Sequence, residues 1–286
     1  MKKSLEEKAF GSMENVRIRA LKNHADYEAC VHIQRKVWRH EDLHLTPVSQ
    51  FCISVQTGAI LLGAFIGNDM AGFVYAFPAV FGKIFCQHSH LLAVLPACQG
   101  YGIGKKLKWA QRREALNRGY DLVTWTFDPL QTRNANLNLN TLGTVGRTYL
   151  SNFYGCTPSL MLGPGVPTDR FLVEWWIRTK RVAQRRKQVA HGFDLEKTGK
   201  AVEQKAGGVY PRIAPQHPDL SLTDKRILVE VPKNIKDLRR EPGLIAAWQK
   251  AVRTSVRHYF SRGYRLDDFN FDDRSFYVLK KERTLR

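Results

Sequence analysis

The sequence predicts a mixed α/β fold: a mostly antiparallel central sheet flanked by helices, followed by a smaller αβ extension. Three observations carry this expectation. The chain has 286 residues, 43% apolar and 25% charged, enough for about two domains at the usual ~150 residues each. Three apolar, strand-like runs follow one another between Ile60 and Leu95, the first two joined by the turn signal Gly67-Asn68-Asp69, which reads as a meander. The period then changes: Ile103, Leu107, Ala110 and Leu116 recur at helical spacing over Gly102–Arg118 with Lys and Arg between them. A helix between strands demands at least one parallel pairing.

The elements read as follows. Residues 1–14 are polar, lack periodicity and read as a flexible leader. A strand over Val16–Leu21 precedes a helix opened by Asp26, and a second helix over Val48–Val55 follows Pro47. The strands Ile60–Ile66, Gly72–Phe77 and Ile84–Leu95 come next, then the basic helix, stopped by Gly119. The β-branched and aromatic run Leu122–Phe127 ends at Asp128-Pro129, a short helix spans Asn134–Leu142, and Thr144–Phe153 with Arg170–Ile177 form a strand pair. Arg178–Gly208 is basic and poor in apolar residues, and reads as a solvated helix. A Pro-rich connector, Pro211–Pro218, leads to a strand over Ile227–Val231, a helix over Pro242–Arg262 and strands at Tyr264–Phe271 and Phe276–Lys280. This order weakly echoes the first half, as a degenerate partial duplication would. The boundaries drawn are 1–14, 15–178, 179–218 and 219–286.

Composition excludes several classes. Five cysteines, Cys30, Cys52, Cys86, Cys98 and Cys156, are widely spaced with no C-x-x-C pair, which fits reduced thiols in the cytoplasm rather than a disulfide framework or zinc ribbon. The N-terminus lacks the apolar stretch of a secretory signal, and the most membrane-like window, Ile60–Phe81, is broken by its turn, so no membrane partner is expected. The net charge is +19, with 19 basic against 13 acidic residues over 1–177 and 26 against 13 over 178–286. Such a field favours an anionic partner without selecting one.

The most informative segment is His88–Lys108, HSHLLAVLPACQGYGIGKKLK, where a strand runs into a glycine-rich turn that opens a basic helix. Gln99, Gly100, Tyr101, Gly102, Ile103 and Gly104 can let backbone amides converge at a helix N-terminus, where the dipole favours an anion such as a pyrophosphate. A P-loop is disfavoured because Gly104-Lys105 is followed by Lys106 and not by Ser or Thr, and a dinucleotide fingerprint is disfavoured because the glycine spacing departs from it. Lys105, Lys106 and Lys108 extend the positive charge, Lys108 either toward the anion or on a solvated face.

The remaining pattern, Val94, Pro96, Gln99, Gly102 and Gly104, resembles the acetyl-CoA signature of the GNAT superfamily of N-acetyltransferases. The element order from Val16 to Ile177, with the segments HSHLLAV, WTFDPL, NANLNLNTLG, NFYG and PTDRFLVEWW, is similar to a poorly characterised subfamily of predicted acetyltransferases with a C-terminal extension. The resemblance implies an acyl-CoA-binding domain over 15–178, acetyl-CoA as acyl donor with no metal, and direct transfer to an amine in a cleft where the fourth and fifth strands splay apart. It implies cofactor contacts from Leu92, Val94, Gln99, Gly100, Tyr101, Gly102, Ile103, Gly104, Lys105 and Asn134, and a general base on the fourth strand. Alternation places His88 and His90 on one face with Leu92 and Val94, so either histidine serves as base or packs within the sheet. The tyrosine expected as acid is replaced by Leu139; Tyr149 and Tyr154 either take that role or pack. Asp128 either binds the amine or caps a turn.

Two functions from different classes follow. The first is an N-acyltransferase acting on a primary amine of a small molecule or peptide. The second is a non-catalytic GNAT-like module whose basic segment 178–205 binds nucleic acid or another polyanion; six positive groups lie in Arg178–Lys187, with no aromatic stacking residue among them. Nucleic acid is therefore the less favoured partner. A homodimer surface, or a second half of the substrate cleft, is a use of the extension compatible with either function.

Overall fold

The computed structural model describes residues 15–38, 42–155, 166–187, 195–205, 214–238 and 241–282. The expected leader 1–14, Cys156 and part of the connector lie outside them. Chain contacts divide the protein into two compact units that meet at Trp125 and Thr126.

In the N-terminal unit, β1 (Arg17–Ala20), β2 (Ile60–Ile66), β3 (Asp69–Phe81) and β4 (Ile84–Val94) form an antiparallel run in chain order, and the start of β5 (Leu122–Phe127) joins β4 in parallel. The turns at Gly67 and Gly82 carry φ of +60° and +62°. Helix α1 (His24–Trp38) begins two residues before the expected Asp26. Asn23 Oδ1 accepts the Asp26 N–H at 2.9 Å, and the Asp26 carboxylate instead accepts two bonds from Arg19 at 2.7 and 2.8 Å. Helix α2 (Val48–Gln56) places Phe51 edge-on to Phe73 and Tyr75 of β3. Helix α3 (Ile103–Asn117) packs across β2, β3 and β4.

Gly72 of β3 lets β4 approach closely: a Cβ there would lie 2.5 Å from the Ala93 carbonyl oxygen and 3.1 Å from Val94 Cα. Gly72→Ala is therefore expected to destabilise the unit by about 1–3 kcal/mol, read as a lower urea midpoint at unchanged slope.

The C-terminal unit holds β6 (Val145–Leu150), β7 (Arg170–Trp176), β8 (Gly199–Val202), β9 (Arg226–Val231), β10 (Tyr264–Phe271) and β11 (Ser275–Lys281), ordered β7-β6-β10-β11-β9-β8. The extension thus continues the sheet that contains β6 and β7. Helix α6 (Pro242–Ser261) packs on β6, β8, β9 and β10. The echo of the first half does not extend to strand order: β1 pairs with the first strand after its helices, whereas β9 pairs with β11, the second strand after α6.

The short helix expected at Asn134–Leu142 is a single turn, α4 (Thr132–Ala135), continuing as a wider π-helical stretch over Asn136–Thr141. The solvated helix expected over Arg178–Gly208 is also not as read: α5 spans Lys180–Arg186, and Gly199–Val202 is strand β8. Arg185 is buried on Asp268 at 2.6 Å, and Arg181 donates to the Gly143 carbonyl at 2.9 Å and lies 3.5 Å from Asp267. Part of the basic run is thus neutralised inside the unit, which composition alone does not show.

Candidate active site

β4 carries a β-bulge. Its partners on β3 run Phe77↔His88, Ala76↔Ser89, Tyr75↔Leu91 and Val74↔Leu92, so His90 is the extra residue. Directly paired residues share a face. His88 therefore lies with Phe77 and Tyr75, and the His90 ring, 5.7 Å from Phe77 and 6.3 Å from Tyr75, lies there too. Leu92 and Val94 take the opposite face, where Leu92 lies 3.8 Å from the position of a Cβ on Gly104 of α3. The expectation that strict alternation puts all four side chains on one face is corrected by the bulge, which reverses the alternation at His90.

The backbone of Leu92 and Val94 matters more than their side chains. Leu95 N–H donates to the Ala71 carbonyl at 2.9 Å, toward β3. Alternation then turns the N–H groups of Leu92 and Val94 the other way, toward β5. The β4–β5 register holds only Gln87↔Val123 and His88↔Thr124, so beyond His88 that side of β4 has no strand partner among the described residues. The Gln99 amide, expected to touch a cofactor, donates 2.9 Å to the Val94 carbonyl and fastens the turn to the end of β4.

The turn itself needs its glycines. Gly100 and Gly102 have φ of +90° and +75°, and a Cβ on either would meet nothing within 4 Å, so the requirement is backbone conformation and open space. The first bond of α3 runs from Lys106 N–H to the Gly102 carbonyl at 2.9 Å. The amides of Ile103, Gly104 and Lys105 precede it and have no partner within the helix. Tyr101 is exposed, Ile103 buried and Lys105 half-buried. A row of backbone donors thus runs from Leu92 and Val94 to the N-terminus of α3, and these residues fit an anionic ligand with an extended, hydrogen-bonding arm.

His88 Nδ1 lies 3.0 Å from Thr124 Oγ1. Burial, with the His90 and Lys108 charges, pushes its pKa down to about 4; burial also lowers that of His90. Both rings are therefore neutral near pH 7 and able to accept a proton. Among the described residues no group of three or more His, Cys, Asp or Glu side chains is arranged to hold a metal ion. Cys98 is fully buried, and burial raises its pKa, the opposite of an activated nucleophile.

Lys108 is neither on a solvated face nor beside the turn. It is 2% exposed, donates to Ser89 Oγ at 3.0 Å and Gln111 Oε1 at 2.7 Å, and lies 3.6 Å over the Trp125 ring. Sequence reading missed Ser89, Gln111 and Thr124 as site residues. A lysine and a glutamine at i and i+3 on a strand-facing stripe are the one signal that pointed inward.

The other candidates belong to the C-terminal unit. Asn134 is exposed on α4, and Leu139 is fully buried in the π-helical stretch. Asp128 caps its turn by accepting the Leu130 N–H at 2.8 Å and lies 3.8 Å from Arg170; burial pushes its pKa up to about 6. Tyr149 donates to Asp169 at 2.6 Å, and Arg253 grips the same carboxylate with bonds of 2.7 and 2.9 Å. Burial and the Asp169 carboxylate raise the Tyr149 pKa, which makes its hydroxyl a reluctant acid. Tyr154 shares a 3.0 Å bond with Thr126 and is nearly half exposed.

No curated protein matches this chain by sequence. Among solved structures, it is similar to the ribosomal-protein-S18-alanine N-acetyltransferase of Escherichia coli at 19% identity and a TM-score of 0.46, over 58% of this chain and 96% of that one. An acetyltransferase of the GNAT family from Streptococcus pneumoniae gives 16%, 0.46, 56% and 98% for the same quantities. The PaiA N-acetyltransferase of Thermoplasma acidophilum, in complex with coenzyme A, gives 13%, 0.39, 56% and 98%. Residues 25–139, which include β4, the glycine turn and α3, match the family model described as acetyltransferase (GNAT) family. The family match thus falls on the stretch that carries the glycine turn and the basic helix, and it covers less than half of the chain.

Proposed function

We propose that the protein is an acetyl-CoA-dependent N-acyltransferase that passes an acetyl group directly to a primary amine of a small molecule or peptide, with 15–178 as the acyltransferase domain. The observation that carries this reading is the unpaired N–H row of Leu92 and Val94, continuous with the free first-turn amides of α3. The first-turn amides, with Gly100 and Gly102 holding the turn open, bind the pyrophosphate. Lys105 adds charge beside them. The Leu92 and Val94 amides hold the extended arm and polarise the carbonyl of the acyl group, which the donor supplies as a thioester. His88 or His90 accepts the proton that the attacking amine releases. Positioning of two reactants along one strand supplies much of the remaining rate. The free thiols of Cys30, Cys52, Cys86 and Cys98 support a reducing, cytoplasmic setting, and no helix among the described residues is long and apolar enough to cross a membrane.

The polyanion-binding alternative has less to stand on, because Arg181 and Arg185 of its basic run are engaged by Asp267 and Asp268. Calorimetric titration with acetyl-CoA, CoA and ADP at two salt concentrations tests the choice. Saturable binding that prefers acetyl-CoA and CoA to ADP is expected. No binding, with retention on a heparin-like column, would overturn the acyltransferase reading in favour of the polyanion module.

A further inference from the structure

The parallel β4–β5 register ends at His88↔Thr124. The next residue on each strand, Ser89 and Trp125, is where the strands part, and the Lys108 amine touches both: it donates to Ser89 Oγ at 3.0 Å and lies 3.6 Å over the Trp125 ring. A further contact is Gln111 Oε1 at 2.7 Å, while Gln111 Nε2 donates to Ser89 Oγ at 3.1 Å. Two oxygens and an aromatic face therefore surround the amine, and each favours its ammonium form.

The groove has a direction. Its anion-binding end is the turn at Gly100–Gly104, and the donor row then descends β4 from Val94 to Leu92. The reacting end of an extended ligand is the end farthest from the turn, toward the vertex where Lys108 sits. In acyl transfer the amine nitrogen forms a bond to the thioester carbonyl carbon, the carbon–sulfur bond breaks with its electron pair going to sulfur, and the amine proton passes to a histidine. Negative charge develops on sulfur, and Leu139 stands where the resemblance led one to expect its proton donor.

We infer that Lys108 is an electrostatic positioning residue whose ammonium, fixed at the vertex between β4 and β5, stabilises the departing thiolate. The inference rests on the acyl-CoA reading above. Lys108 acts on the sulfur through its field, which a buried, low-dielectric setting strengthens. Burial opposes that charge, lowering the Lys108 pKa well below the ordinary value, while Ser89 Oγ, Gln111 Oε1 and the Trp125 face favour it. The ionisable groups on the strands packed against α3 are Asp69 and Tyr75 of β3 and Cys86, His88 and His90 of β4; β2 and β5 carry none. On α3 itself are Lys105, Lys106, Arg112, Arg113 and Glu114.

The test compares CoA with desulfo-CoA, which lacks only the thiol, by calorimetry at pH 6.5, 7.5 and 8.5. Titration of protein groups that do not interact with the thiol affects both ligands alike and cancels in their ratio. With an ammonium at the vertex that lowers the bound thiol's pKa by about one unit from the ordinary ~8.5, CoA is expected to gain about fivefold over desulfo-CoA between pH 6.5 and 8.5. In Lys108→Met, which keeps the volume and removes the charge, that gain is expected to vanish while affinity for desulfo-CoA stays within about threefold, a separation that lost packing alone would not produce. Equal pH dependence of the two ligands in the unaltered protein overturns the inference even if the Met variant does not fold. Failure of both ligands to bind overturns the acyl-CoA reading itself, which keeps the two failures distinguishable.

Discussion

Gly102→Glu is expected to reduce acetyl-CoA affinity by at least about a hundredfold, or ~2.7 kcal/mol, while leaving the chain folded. Gly102 sits at φ +75° immediately before the first turn of α3, and a Cβ there meets no protein atom within 4 Å. The substitution therefore does not disrupt packing. It costs about 1–2 kcal/mol of backbone strain and sets a carboxylate among the amides of Ile103, Gly104 and Lys105, where a pyrophosphate would bind. Like charges so placed cost several kcal/mol of binding. Gly102→Ala carries the strain without the charge and should lose far less. Calorimetric titration with acetyl-CoA, beside a thermal melt to establish folding, measures both variants. An affinity unchanged by the glutamate would remove the glycine turn from the binding site.

Replacing His88 and His90 together by alanine is expected to lower turnover by roughly 10²–10⁴-fold with acetyl-CoA affinity within about twofold, because the donor row on β4 is backbone and survives the change. The single variants divide the roles. His88 is tied to Thr124 at 3.0 Å, whereas His90 is the bulged residue of β4. Lowered pKa values keep both rings in the proton-accepting form below the ordinary 6.5. If His88 is the base, the acid limb of the rate profile falls near pH 4; a limb at 6.5 or above contradicts both assignments. Stability follows the same sign: the unfolded imidazole takes its proton near 6.5 while folded His88 waits until about 4, so folding is weakened as pH falls through that window. Turnover unaltered in the double variant would exclude both histidines as bases.

The strand, glycine turn and basic helix of the site were legible in the sequence because each is written in local terms: an apolar run, small residues where φ must be positive, and helical spacing. The bulge at His90 was not, because a one-residue slip between β3 and β4 leaves no mark on the composition of either strand. Lys108 was misread for a related reason. Its partners Ser89 and Trp125 stand on two strands, and local spacing offered a lysine with unseen partners only the anion or water. Arg181 and Arg185 repeat the case, since the aspartates that engage them arrive more than eighty residues later. Strand β8 was hidden because Gly199–Val202 is four residues long and embedded in charge.

The unpaired side of β4 beyond His88 has a consequence for selectivity. A strand whose N–H groups are left without a strand partner treats whatever enters beside it as a missing neighbour. It recognises a narrow, extended chain bearing carbonyls at peptide-like spacing and rejects compact or branched molecules that cannot lie flat along it. The arm of coenzyme A, with its two amides, meets that description, and so does a short peptide in extended form. On the acyl-CoA reading, β4 would select its donor by backbone mimicry, and extended peptides would be the class of molecule best suited to compete for it.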